Sequence, residues 1–427
     1  DSPYQSFSAI AGNTHLIDFD LLTQMGLLKE ADYASVNFGD DPTNVDYERV
    51  SYARRPILET AVKNFLANQA FQADFQNFEK NNRLWLDDFA EFMAIKEHFG
   101  NQALQKWDDK KAVARDPSAL EKYRSMLAEQ IQYFKVTQYF FFKQWSELKD
   151  YANQRGIKII GDMPIYVAAD SVEVWTKPEL FQLDKERNPL FVAGVPADQF
   201  SATGQLWGNP LYAWEEHKKQ GYAWWIHRIE ESFKIYDVLR IDHFKGFSDY
   251  WQVDGKAEVA KDGSWQPGPG YDLFKAVKEQ LGDLPIIAED LGNIDDKARK
   301  LLADCNYPGM KILQFGFEDV SGKSLDSPHY CISHSIVYTG THDNDVTNGW
   351  YNSLTEQQQQ YINDYTHRRE DESICQAMIR QLFATVSNTA IATMQDVLDL
   401  PASSRMNVPS TIGGNWQWRM QQSDLTQ

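Results

Sequence analysis

The chain has 427 residues, 42% of them hydrophobic and 13% aromatic, which excludes a globally disordered protein and allows one large barrel or two to three smaller domains. Lys and Arg number 42 against 61 Asp and Glu, so the formal net charge is −19. A surface this acidic repels phosphate backbones and anionic lipid headgroups, which disfavours nucleic acid and membrane surfaces as partners but does not penalise neutral ligands.

In chain order, residues 1–25 read as a loop that ends in a short apolar stretch (Leu16, Ile17, Phe19, Leu21, Leu22). No run of about 18 apolar residues marks a membrane span, and the opening DSPYQSFSAI is not a signal peptide. Residues 26–155 read as a mainly helical subdomain. Its clearest helix is capped by Asp116 before Pro117, carries Leu120, Tyr123, Leu127, Ile131 and Phe134 at helical spacing, and stops at Arg155-Gly156.

From 156 to 427 the texture changes to short apolar runs alternating with helical stretches. The runs lie at 157–167, 236–244, 284–292, 309–317, 335–343 and 391–400. Such runs suit strands buried on both faces of a parallel sheet, and their alternation with helices predicts βα units. No phosphate-cradling glycine loop follows any of them, so a (β/α) barrel is favoured over a nucleotide-binding sheet. A closed barrel of this kind needs eight strands and six are legible, so either two strands hide in residues 1–115, where no convincing buried strand is seen, or the sequence begins inside the fold; the expected structure is an α/β TIM barrel with helical insertions that lacks its first two strands.

Three of the strand runs end in carboxylates: Asp242 after VLRI, Glu289 after IIA, and Asp343 in YTGTHD. One Asp at a strand end is more often a helix cap or a turn former than a catalyst. Three at the C-terminal ends of strands in one barrel converge on a single mouth. Two carboxylates are the minimum for cleaving a glycosidic bond, one ionised to attack and one protonated to release the leaving oxygen. Arg240 shares a strand face with Asp242 and should favour its ionised form. Neighbouring charge and burial should raise Glu289. His342 and Asp343 are placed to bind sugar hydroxyls. The segment 194–214 reads as a long loop with rings at Phe200 and Trp207 and polar groups at Asp198, Gln199, Gln205 and Asn209. It is expected to be either a structural excursion or a substrate clamp, with Trp207 stacking on sugar. No metal motif is present and no cofactor is expected. Cys305, Cys331 and Cys375 are odd in number and far apart, which suits reduced thiols in a cytoplasmic setting. His217, His227, His329, His334 and His367 have no evident partners in the sequence.

DVLRIDHFKGF, IIAEDLG and YTGTHDNDVTNGWY together resemble the signature segments of amylomaltases, the 4-α-glucanotransferases of glycoside hydrolase family 77. GDMPIYVAADSVEVW, GQLWGNPLY, SPYQSFSAIAGNTHLID and MNVPSTIGGNWQWRM are similar to further segments of that family, so the likeness runs over the whole chain. The resemblance implies a barrel of the α-amylase type and a retaining transfer between maltooligosaccharides or α-1,4-glucans derived from starch or glycogen. By the same resemblance Asp242 is the nucleophile, Glu289 the acid/base and Asp343 the third carboxylate. Arg240, Asp162, His243 and His342 line the sugar site nearest the cut. Trp207 covers the acceptor side with its loop neighbours Gln205 and Asn209, and Tyr4 and Asn415 lie near the mouth. The alternatives are a hydrolase of the α-amylase type, which shares the same intermediate, and an inactive glucan-binding fragment.

Overall fold

The computed structural model describes residues 2–197, 203–292 and 294–425. Ten strands are present among them: β1 (Ile160–Met163), β2 (Phe191–Val195), β3 (Gln205–Pro210), β4 (Val238–Ile241), β5 (Asp249–Asp254), β6 (Ser264–Pro267), β7 (Ile286–Ala288), β8 (Gly309–Ile312), β9 (Ser335–Tyr338) and β10 (Thr389–Ile391).

β1, β4 and β7 pair in parallel, as do β8, β9 and β10. The two triplets meet where the Ala288 amide donates to the Pro308 carbonyl at 3.0 Å and the Met310 amide donates to Asp290 Oδ1 at 2.7 Å. The result is an arc of six parallel strands, each within or beside one of the six apolar runs. Two boundaries differ from the sequence reading. The 309–317 run leaves the sheet after Ile312 and becomes helix Leu313–Glu318. At 391–400 the strand is Thr389–Ile391, and Thr393 caps a helix over Met394–Val397. The inner strands β7 and β9 are buried at every residue, as two-sided packing requires. The outer strands are more open: Ile160 of β1 is 41% exposed, and β10 is only half-buried throughout.

Segment 194–214 is not wholly a loop. Gly194 and Val195 finish β2 and residues 205–210 are β3, and these two strands join β5 and β6 in an antiparallel sheet of order β3-β2-β5-β6. Phe200, Asp198 and Gln199 lie outside the described residues.

Before the barrel, Asp46 caps helix Tyr47–Ala67, and two long helices, Gln72–His98 and Ala128–Asn153, pack on each other. Rings join them: Phe75 and Phe78 both meet Tyr139 edge-on, and Phe89 meets Phe134. The helix begun at Asp116-Pro117 ends at Met126. Leu127 breaks the expected single run, and a new helix starts at Ala128. The core is continuous from this helical layer into the barrel through Phe92, Trp107 and Trp175.

Candidate active site

Parallel register sets the first pairing. Asp162 on β1 is aligned with Arg240 on β4, so their side chains leave the same face of the sheet. Arg240 Nη1 lies 2.6 Å from each oxygen of Asp162 and 3.1 Å from Asp242 Oδ1. Burial opposes the charge on this guanidinium, and the carboxylates of Asp162, Asp242 and Glu289 more than offset that, so it stays a cation.

Asp242 follows β4 directly, and its amide donates to the Met163 carbonyl at 3.0 Å. His243 then takes a left-handed conformation (φ 49°, ψ 51°), which is costly for a residue with a Cβ. That turn directs the His243 amide onto Glu289 Oε2 at 2.7 Å, while the Leu291 amide donates to Oε1, also at 2.7 Å. Each oxygen of Glu289 thus accepts one backbone donor. Burial and the Asp242 charge nevertheless raise Glu289 well above the usual carboxylate range, against the pull of Arg240 and the two amides. Asp242 is also raised, by burial first. Arg240 opposes the shift, and Asp162 and Asp343 add to it. Two such groups titrate as a pair, with Glu289 keeping its proton to the higher pH.

Asp343 and His342 complete the cluster. Asn407 Nδ2 donates to Asp343 Oδ1 at 2.6 Å, Arg405 Nη2 donates to the Asp343 carbonyl at 2.7 Å, and His342 Nε2 is 3.4 Å from Asp343 Oδ2. Burial works against charge on both groups. Their mutual contact outweighs it, lifting His342 and lowering Asp343. Tyr4 bridges the two halves of the site, with its hydroxyl donating to Asp162 Oδ2 at 2.7 Å and lying 2.8 Å from His342 Nε2.

Trp207 of β3 stands edge-on to the His243 ring at 4.9 Å between centroids. Its indole Nε1 donates to Gln205 Oε1 at 3.2 Å. Asn209 is buried, donating to the Val167 carbonyl at 2.9 Å and accepting from Gln5 Nε2 at 3.1 Å. The His243 Nε2 is buried with no protein partner, and burial, with Lys245 nearby, holds the ring neutral by lowering it to about 4. A neutral imidazole with an unfilled nitrogen is suited to a ligand hydroxyl.

Asp162, Arg240, Asp242, His243, Glu289, His342, Asp343 and Tyr4 therefore meet in one place, with Trp207 at its rim. Asn415 does not reach the carboxylates. It accepts from the Val408 amide at 2.9 Å and donates to Thr411 Oγ1 at 2.9 Å, bracing its own turn. Asn407, Arg405 and Trp416 were not singled out from sequence. Trp416 packs against His342 at 5.0 Å and Tyr4 at 6.0 Å. The one available signal was their place in or beside the MNVPSTIGGNWQWRM segment. Asp290 turns away from the cluster to tie β7 to β8. Elsewhere, His217 is buried against the Leu180 carbonyl, and His329 contacts Tyr365. Among the described residues, His227, Glu230 and Glu231 could converge on an ion, but Lys234 already lies 2.5 Å from Glu231 Oε1.

A family model described as 4-alpha-glucanotransferase matches residues 1–425. The chain is 54% identical over its whole length to a 4-alpha-glucanotransferase of Streptococcus pneumoniae, covering 84% of that protein. It is 43% identical to one of Clostridium butyricum, covering 87% of it. The amylomaltase of Streptococcus agalactiae, solved in complex with acarbose, superposes with a TM-score of 0.98 at 59% identity, covering 100% of this chain and 86% of that one.

Proposed function

The chain belongs to the 4-alpha-glucanotransferase family, glycoside hydrolase family 77, and from that premise we propose a retaining double displacement at the Asp242–Glu289 pair. The donor is a maltooligosaccharide or a longer α-1,4-glucan. In the first step Asp242 attacks the anomeric carbon, the glycosidic bond breaks, and Glu289 gives its proton to the departing oxygen. In the second, the 4-hydroxyl of glucose or another glucan attacks the same carbon. It passes its proton to Glu289, and Asp242 leaves. Two inversions give net retention.

The observation that carries the assignment is the difference between the two carboxyls. Asp242 has Arg240 at 3.1 Å to stabilise its charge, whereas Glu289 is pushed upward by burial and by Asp242 itself. One is suited to be the anion and the other the acid. His342 with Asp343, and the unfilled nitrogen of His243, are suited to grip the hydroxyls of the sugar being cut. Trp207, Gln205 and Asn209 border the side on which an acceptor would arrive, and an apolar ring there disfavours water. Three unpaired cysteines suit a cytoplasmic setting, and no helix among the described residues is long and apolar enough to cross a membrane.

The test of the roles is covalent trapping. A maltosyl fluoride needs no acid to leave, so Glu289→Gln should form the glycosyl-enzyme and fail to discharge it, with transfer between natural glucans reduced by about 10²–10⁴-fold. Peptide mass mapping should place the sugar on Asp242. A label on Asp343, or none on any carboxylate, would overturn the assignment.

A further inference from the structure

Tyr4 and Gln5 reach the site from a segment without sheet or long helix: residues 3–5 form one turn of 3-10 helix, and 6–13 have no regular structure. Their placement needs an anchor from elsewhere in the fold. The short helix Val172–Thr176, which follows β1, supplies it. The Val172 amide donates to the Phe7 carbonyl at 2.9 Å. The Ala9 amide donates to Glu173 Oε1 at 2.8 Å, and Ser8 Oγ lies 3.4 Å from the same oxygen. Ser8 Oγ in turn accepts from the amides of Ile10 and Ala11 at 3.1 Å each. The segment is fixed again at Gly12, which exchanges two hydrogen bonds with Gln138 at 2.7 and 3.0 Å.

Glu173 is an odd choice for structure alone. It is 6% exposed, and its Oε2 has no protein partner. The nearby guanidinium of Arg228 donates to the Ile165 and Pro164 carbonyls rather than to Glu173. Burying a carboxyl group with one oxygen unfilled is costly, and an apolar side chain would pack there more cheaply. What an apolar side chain could not do is accept from the strap.

We propose that Glu173 is a positioning residue for transfer, acting through Ala9 and Ser8 to hold Tyr4 against Asp162 and His342 and Gln5 against Asn209. Glu173 touches no reacting atom. The inference rests on the reading that Tyr4 belongs to the sugar site nearest the cut.

The test is a double-mutant cycle read as kcat and KM for maltotriose disproportionation, with Tm recorded for each protein. Glu173→Ala should lower kcat/KM roughly tenfold or more, as displaced positioning groups do. Glu173→Gln should keep most of the activity, because its amide oxygen still accepts from Ala9. Tyr4→Phe added to Glu173→Ala should cost less than about twofold further, since the strap has already let Tyr4 go. Additive losses, or a Glu173→Gln as impaired as Glu173→Ala, would overturn the role of Glu173 alone. Wild-type kinetics in Tyr4→Phe would remove Tyr4 from the site reading and the role of Glu173 with it. If Glu173→Ala does not fold, Ser8→Ala carries the same cycle from the other side of the contact.

Discussion

Asp242 shows how position overrides neighbourhood at the scale of one residue. Arg240 two residues earlier suggests an easily ionised carboxyl, yet burial comes first and raises Asp242 from 3.8 to about 6. A carboxyl raised on folding holds its proton longer in the folded chain. The penalty for its charge is therefore absent below 3.8 and grows as pH rises through the interval up to about 6. Asp242→Asn should be stabilised over the parent by about 1–3 kcal/mol at neutral pH and by nothing at acid pH, while losing transfer. Chemical denaturation at the two pH values checks it, and equal or lower stability at neutral pH would contradict the buried-charge reading. Asp162→Asn removes an anion near Asp242 and frees Arg240 Nη1 for it, both of which favour the Asp242 anion. The acid limb of the kcat/KM profile should move to lower pH, and an upward move would count against Asp242 as the ionising group. The carboxylates and Arg240 were legible because strand ends and same-face spacing are local. The left-handed turn at His243 was not, since nothing in DHF marks a positive φ. Asn407 was hidden by distance, as it reaches Asp343 from 64 residues away.

Elements were legible where one pattern has one packing solution. The inner parallel strands are continuous apolar runs because both faces are covered, and the helices before residue 155 carry plain caps and spacing. The antiparallel sheet was not legible. β2 and β3 are interrupted by Gly194, Gly208 and Pro210, and β2 pairs on one side with β3 and on the other with β5, about sixty residues on in sequence, so their strand character is set by the partners rather than by composition. The sheet places Trp207 on a strand rather than on a free loop, which should give its ring a fixed orientation. Trp207→Ala should raise the fraction of cleavage events that end in water, seen as new reducing ends per transfer event, and an unchanged ratio would free Trp207 of that role. In the helical layer, Phe65 is fully buried against Phe71, Phe75, Tyr139 and Phe140. Phe65→Ala should cost about 3–5 kcal/mol in equilibrium unfolding. A cost under 1 kcal/mol would mean that this layer contributes little to the core it shares with the barrel.

The whole molecule joins a neutral-ligand site to an acidic surface of net charge −19. Because the substrate carries no charge, transfer rates should be nearly flat between about 0.05 and 0.5 M salt, and a steep fall would point to a charged substrate. The arc of six parallel strands brings the ends of β1, β4 and β7 together with the segment after β9, which is enough to assemble Asp162, Arg240, Asp242, Glu289, His342 and Asp343. β1 and β10 have no strand partner on their outer sides among the described residues, which agrees with the six-strand count and with the exposure of Ile160. Together these features direct a glucan piece held on this site to another sugar. The most direct measurement incubates the purified chain, beside Asp242→Asn, with maltotriose and follows products and total reducing ends. The parent chain should give a ladder of longer and shorter maltooligosaccharides with a flat reducing-end count, and Asp242→Asn should give none. Shorter sugars with a rising count would make the chain a hydrolase, and a ladder that survives in Asp242→Asn would remove Asp242 as the nucleophile.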